Sequence, residues 1–229
     1  MPILIGLGVL ALLLLIFGPQ FWVQWALRKH SAERDDLPGT GGELARHLLD
    51  EAGLESVAIE ETEAGDHYDP DTRTVRLTPG FLNGKSVAAV AVATHEVSHA
   101  IQHAREEPGF MRRMAVVARV IWIDRIGSII LLSAPLLAFL VKAPVLLAVQ
   151  IALGVILLLV RVAVHLVTLP IEYDASFRKA LPILEERRYL SAADLPAARH
   201  VLKAAAWTYV ASALATLLDV MRWFRVIRI

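Results

Sequence analysis

The chain has no cysteine among its 229 residues. This excludes disulfides, Cys-ligated zinc, iron–sulfur clusters and a thiol nucleophile, so any metal must be held by His, Asp or Glu. Net charge is absent as well, since 23 Lys and Arg balance 23 Asp and Glu. Without a global basic field the chain has no means of holding nucleic acid, and that class of partner is set aside. Charge is scarce overall, at 20% of residues against 56% hydrophobic, with a mean hydropathy of +0.53 that lies outside the usual soluble range. No internal repeat or low-complexity tract is present. The composition predicts a membrane protein.

Residues 1–27 carry no charged side chain and exceed the roughly 20 residues needed to span a bilayer. No basic segment precedes this run and no small-residue cleavage site follows it, so it reads as an uncleaved transmembrane anchor. Arg28, Lys29 and His30 follow at once and, by the positive-inside rule, put what comes next in the cytoplasm. Residues 28–125 read as a soluble region. Within it Thr40-Gly-Gly-Glu43 forms a capping box for a helix over 41–52, with Gly53 as its stop. Val57 and Ile59, then Val75 and Leu77, alternate with polar neighbours around the turn-rich Gly65–Pro70, which predicts a short two-stranded hairpin. Ser86 caps a helix over 87–104, a stretch free of Gly and Pro and rich in Ala. Residues 126–160 hold two apolar runs that predict a transmembrane helical hairpin, residues 161–203 turn polar again, and Ser191–Asp194 is a second capping-box candidate. The C-terminal segment 204–229 suits a spanning helix or an interfacial one.

His95-Glu96-Val97-Ser98-His99 is an H-E-x-x-H on the helix over 87–104. Four-residue spacing stacks both imidazoles on one face, able to grip one Zn²⁺, and leaves Glu96 placed to act on a water there. The composition makes the pattern a chance event at roughly 0.016 copies per chain. Its neighbours are apolar, and burying two His and a Glu among them without a partner would cost several kcal/mol. His103 is excluded as a third ligand, because eight residues of helix separate it from His95 by about 12 Å. The longer H-E-x-x-H-x-x-G-x-x-H pattern fails at Gln102 and Arg105. His67, His165, Glu172 and Asp174 remain. Glu172 is favoured by topology, since two apolar runs between it and His99 return the chain to the same side of a membrane. Asp174, on another face of such a helix, reads as a group orienting a His, or as a solvated charge.

Four stretches together resemble a known family: Asp66–Pro70, Ala91–Gln102, Thr168–Ser176 and Ala204–Ala211. In that order they look like the YugP-type neutral zinc metallopeptidases of bacterial membranes. The resemblance implies a gluzincin-type site with His95, His99 and Glu172 on zinc and Glu96 as general base. Ser98 stands where the family commonly has Gly, and Trp207 where a smaller apolar residue is usual, both expected to crowd the metal helix or the cleft. The implied fold class is a mainly α membrane protein, with transmembrane helices and a small α+β zincin-like cytoplasmic domain holding a short β-hairpin.

The expected function is a membrane-anchored, zinc-dependent metalloendopeptidase, multi-pass in the bacterial inner membrane with its site in the cytoplasm. Its expected partners are the lipid bilayer and membrane-protein or peptide substrates; the sequence leaves the oligomeric state open. His67 and Tyr209 are the candidates to donate to the oxyanion of the tetrahedral intermediate. The edge of the strand Thr74–Leu77 is a candidate seat for an extended peptide. The alternative is a non-catalytic membrane protein with zinc as a structural clamp, and Glu96 separates the two, because a clamp needs no base beside its metal. A transporter fits poorly, as the apolar runs hold no ionisable pair.

Overall fold

The computed structural model describes residues 2–120, 122, 129, 133 and 144–227. They fall into two compact units, one of residues 1–18, 112–168 and 209–229, the other of residues 19–111 and 169–208. The helices are α1 (Pro2–Lys29), α2 (Gly41–Glu51), α3 (Pro79–Leu82), α4 (Val87–Ala104), α5 (residues 108–120), α6 (Pro144–Tyr173), α7 (Leu181–Glu186) and α8 (Leu195–Ile227). A π-helical segment, Asp174–Ala180, joins α6 to α7. The strands are β1 (Ala58–Glu61), β2 (His67–Asp69) and β3 (Thr74–Leu77).

The fold class is therefore mainly helical with a small mixed sheet, and the expected transmembrane architecture is corrected. Among the described residues no helix is long and apolar enough to cross a membrane. This overturns the anchor at 1–27 and leaves the multi-pass arrangement, and the crossing count that favoured Glu172, without support; the expected hairpin at 126–160 falls largely outside the described residues. Of the run from Ile126 to Val141 only positions 129 and 133 lie within the described residues. The physical reason is that apolar content along the sequence does not by itself fix what surrounds the helix it forms.

In the unit formed by residues 19–111 and 169–208, α4 is the central element. Every residue from Val87 to Ala100 is buried, so the helix is enclosed on all sides. Its first turn is closed by Ser86, whose hydroxyl accepts from the Ala89 amide at 3.1 Å. The carbonyl of His30 accepts from Ala88 at 3.0 Å and fastens the same end. The α2 helix begins with the expected capping box: Thr40 Oγ1 accepts from the Glu43 amide at 3.2 Å and the Glu43 carboxylate accepts from the Thr40 amide at 2.7 Å. Gly53 follows it at φ +70°, a left-handed conformation that stops the helix. Close packing against α4 explains Gly41, where a Cβ would lie 2.3 Å from the Phe81 carbonyl oxygen and 2.9 Å from that of Ala89.

The sheet departs from the expected hairpin. Its strand order is β1-β3-β2, with β1 parallel to β3 in the register Ile59↔Val75 and β2 antiparallel to it in the register Tyr68↔Val75. The alternating segments around Val57 and Val75 are thus neighbours but parallel, and β2 lies inside what reads as a turn. Three residues are too few for alternation to register, and the real turn sits further on, where Asp69 Oδ1 accepts from the Asp71 amide at 2.9 Å and Arg73 takes φ +51°. Arg76 on β3 ties the layer together, bonding Glu60 of β1 at 3.1 Å and Asp69 of β2 at 2.5 Å. Being central, β3 has both edges occupied and cannot seat a peptide; the free edges belong to β1 and β2. Ser191 also differs from expectation: its hydroxyl donates to the Asp194 carboxylate at 2.6 Å instead of capping a backbone amide.

Candidate metal centre

The α4 helix brings His95 and His99 one turn apart, and the end of α6 brings Glu172 against them. His95 Nε2, His99 Nε2 and Glu172 Oε2 form a triangle with all three sides 3.2 Å. All three residues are buried. Ligand atoms on one tetrahedral zinc, with bonds near 2.1 Å, are separated by about 3.4 Å, close to the triangle observed.

The hydrogen bonds behind the triangle fix which nitrogens carry protons. The amide nitrogen of Gln102 donates to the Ile171 carbonyl at 3.2 Å and to Asp174 Oδ2 at 2.8 Å. With both its protons committed, Gln102 turns its oxygen to His99 Nδ1 at 2.8 Å, and that nitrogen must be the donor. Similarly, Ser176 Oγ gives its proton to the Leu202 carbonyl at 3.1 Å and accepts from His95 Nδ1 at 3.1 Å. Both imidazoles therefore present a bare Nε2 to the centre. Two imidazole nitrogens and a carboxylate oxygen thus converge on one point, an arrangement that a bound cation satisfies, and the chemistry of two imidazoles with one carboxylate suits zinc.

The π-helical segment is what lets one short stretch serve this purpose. Beginning two residues after Glu172, it carries Asp174 to Gln102 and Ser176 to His95. Lys179 lies at its far end, bonded to the Asp174 carboxylate and, at 3.0 Å, to Glu107. Asp174 thus orients His99 through Gln102 and is no ligand, while Gln102 and Ser176 carry roles that the motif spacing does not announce. An amide three residues beyond the second His, and a hydroxyl four beyond the Glu, are the signals available.

Glu96 is buried beside the ligands but outside the triangle. Burial pushes its carboxyl up to about 7; Glu172 and Asp66 add to the rise, while His95 and a hydrogen bond from the Tyr68 amide oppose it. Tyr68 N–H thus points away from β3, so in the antiparallel ladder its carbonyl lies on the outer edge too.

Among the described residues the metal-capable group contains His95, His99 and Glu172 and no other member. His67, on β2, is held locally, its Nδ1 2.7 Å from the Gly65 carbonyl oxygen. That contact puts the proton on Nδ1, so Nε2 donates only in the imidazolium form. Tyr209 belongs to the other unit, where its hydroxyl accepts from Arg113 at 2.7 Å and its ring lies 6.1 Å from that of His165. Ser98 is fully buried with its hydroxyl donating to the Thr94 carbonyl at 2.7 Å, so it is satisfied within the helix. Trp207 is 44% exposed and meets Trp22 edge-on at 6.2 Å.

The comparisons with known proteins agree with this geometry. A family model described as "Putative neutral zinc metallopeptidase" matches residues 5–228. "Putative membrane protease YugP" of Bacillus subtilis (strain 168) is 35% identical over 212 residues, covering 90% of this chain and 90% of that protein. No solved structure matches the chain. A match over nearly the whole length, in a chain whose buried His95, His99 and Glu172 are arranged to hold a cation, places the protein in the neutral zinc metallopeptidase family.

Proposed function

We propose that the protein is a zinc-dependent metalloendopeptidase in which His95, His99 and Glu172 hold the ion and Glu96 is the general base. The observation that carries this reading is the convergence of three potential ligand atoms, 3.2 Å from one another, with a buried carboxyl beside them. When bound, the ion supplies Lewis acidity towards a carbonyl oxygen and acidifies water. Glu96 takes a proton from the attacking water and passes it to the leaving amine. His67 is the proposed donor to the developing oxyanion, and loss of kcat with unchanged zinc content in His67→Ala is its test.

The structural-clamp alternative is weaker on two counts. The group has three members among the described residues, whereas structural zinc is normally closed by four protein ligands, and a clamp has no use for Glu96. The deciding experiment is Glu96→Gln in the full chain. Retained zinc with cleavage of a quenched peptide library abolished supports the enzyme; cleavage surviving in the variant removes Glu96 from the role of base. The name of the Bacillus relative describes that protein as a membrane protease. Action on membrane proteins or peptides at a lipid bilayer is proposed here on that analogy, and release of cleaved products from proteoliposomes is its test.

A further inference from the structure

His103 lies on α4 two turns beyond His95 and outside the metal group, yet it is not a solvated surface residue. Its Nδ1 is 2.9 Å from the Tyr68 hydroxyl. Phe110 stacks on the other side of its ring, with centroids 5.4 Å apart and planes 27° from parallel. Tyr68 is buried at the middle of β2, a three-residue edge strand with one ladder partner. So short a strand has little pairing of its own to fix its position against α4. The polar side-chain tie of that strand's central residue is the bond to His103, and the backbone amide of that same residue acts on the Glu96 carboxyl. Burial raises the Tyr68 phenol and lowers the His103 imidazole, which keeps both neutral and lets the phenol donate.

We propose that His103 is a positioning residue: through the Tyr68 hydroxyl it holds β2 at the height on α4 where the Tyr68 amide meets the Glu96 carboxylate. The claim rests on Glu96 being the base, and adds that the base is oriented by a strand anchored one helical turn beyond the second ligand histidine. His103 therefore acts on the reaction through Tyr68 and touches neither metal nor water. The arrangement separates two tasks along one helix face, ligation at His95 and His99 and strand registration at His103.

The test uses the full chain with Tyr68→Phe, His103→Leu, the double variant, and His103→Gln as the conservative replacement that restores an acceptor. Hydrogen exchange in metal-free protein is expected to quicken about tenfold at the Tyr68 amide in Tyr68→Phe and His103→Leu. Zinc affinity should stay within about threefold of the parent in both, because neither residue supports a ligand. With a quenched peptide substrate kcat should drop about tenfold while KM stays within about twofold, with recovery in His103→Gln. The double variant should lose no more than either single, since both cut the same tie. Unchanged exchange at Tyr68, additive losses in the double variant, or zinc affinity falling in step with kcat would each overturn the proposal. If the parent cleaves no peptide, the metallopeptidase reading fails separately and the exchange measurement still decides whether His103 positions the strand.

Discussion

Replacing Gln102 by Met removes a hydrogen-bonding amide from a fully enclosed position while keeping its length and nearly its volume. The native side chain makes three bonds, one accepted from His99 Nδ1 at 2.8 Å and two donated to the Ile171 carbonyl and Asp174. The last two set the orientation of the amide and so reach the metal only through the first. The first acts on metal affinity directly, because it fixes the tautomer and ring orientation of a ligand. Losing such a partner weakens binding about 10- to 100-fold, or about 1.4–2.7 kcal/mol. Ser176→Ala cuts the equivalent support behind His95, made at 3.1 Å, and should weaken binding about tenfold. The two supports share no side chain, so the double variant should show the product of the two losses. Competitive titration of the purified protein with a chromophoric chelator measures each Kd, and circular dichroism reports whether the fold survives. An unchanged zinc Kd in a folded Gln102→Met variant would refute the argument that protons on Nδ1 leave both Nε2 atoms bare for a cation.

Removing the metal with a chelator should lower the melting temperature, because two lone pairs and a carboxylate are left facing one another; free zinc at 100 times its Kd should restore about 2.7 kcal/mol, and a melt insensitive to zinc would contradict this. Gly41→Ala should destabilise by about 2–3 kcal/mol, since its Cβ would meet the backbone oxygens of Phe81 and Ala89 at 2.3 and 2.9 Å and neither can rotate away; an unchanged melting temperature would count against so close a packing of α2 on α4. His30 Nε2 and His200 Nδ1 are 3.0 Å apart, with Lys29 and Lys203 nearby. Burial lowers both histidines below 6.5, and the neighbouring cations lower them further. The unfolded chain therefore binds more protons, so this pair's contribution is complete above pH 6.5 and is lost as pH falls through and below it. Urea melts at pH 7.5 and 5.5 should show that loss in the parent, and a smaller one in His200→Asn.

How legible the molecule is from its sequence depends on the range of the interactions involved. Thr40 with Glu43, Ser86, Gly53 and the H-E-x-x-H helix over 87–104 are all readable because their partners lie within four residues. The pairing of β1 with β3 and the existence of β2 are not, since strand order is decided by what packs on α4 and three residues carry no period. Apolar runs misled for a related reason, as they record dryness but not whether protein or lipid supplies it. At the site, spacing picks out His95, Glu96 and His99, and Glu172 needs the resemblance as well. Ser176 and His103 acquire their roles through contacts 81 and 35 residues away in sequence, and Gln102, three residues from His99, is set in place by Asp174, 72 residues away.

The wide turn between Asp174 and Ala180 also governs how this stretch tolerates change. Deleting a single residue there would let the backbone close into ordinary α geometry without turning the helix on either side, because the wide turn already holds one residue more than an α turn would. Leu181 and Leu184 would then stay in the core while the hydroxyl of Ser176 would miss its imidazole. In a library of single-residue deletions, this segment should therefore give variants that fold and yet lose metal affinity, whereas a deletion in the middle of α4 should cost both together.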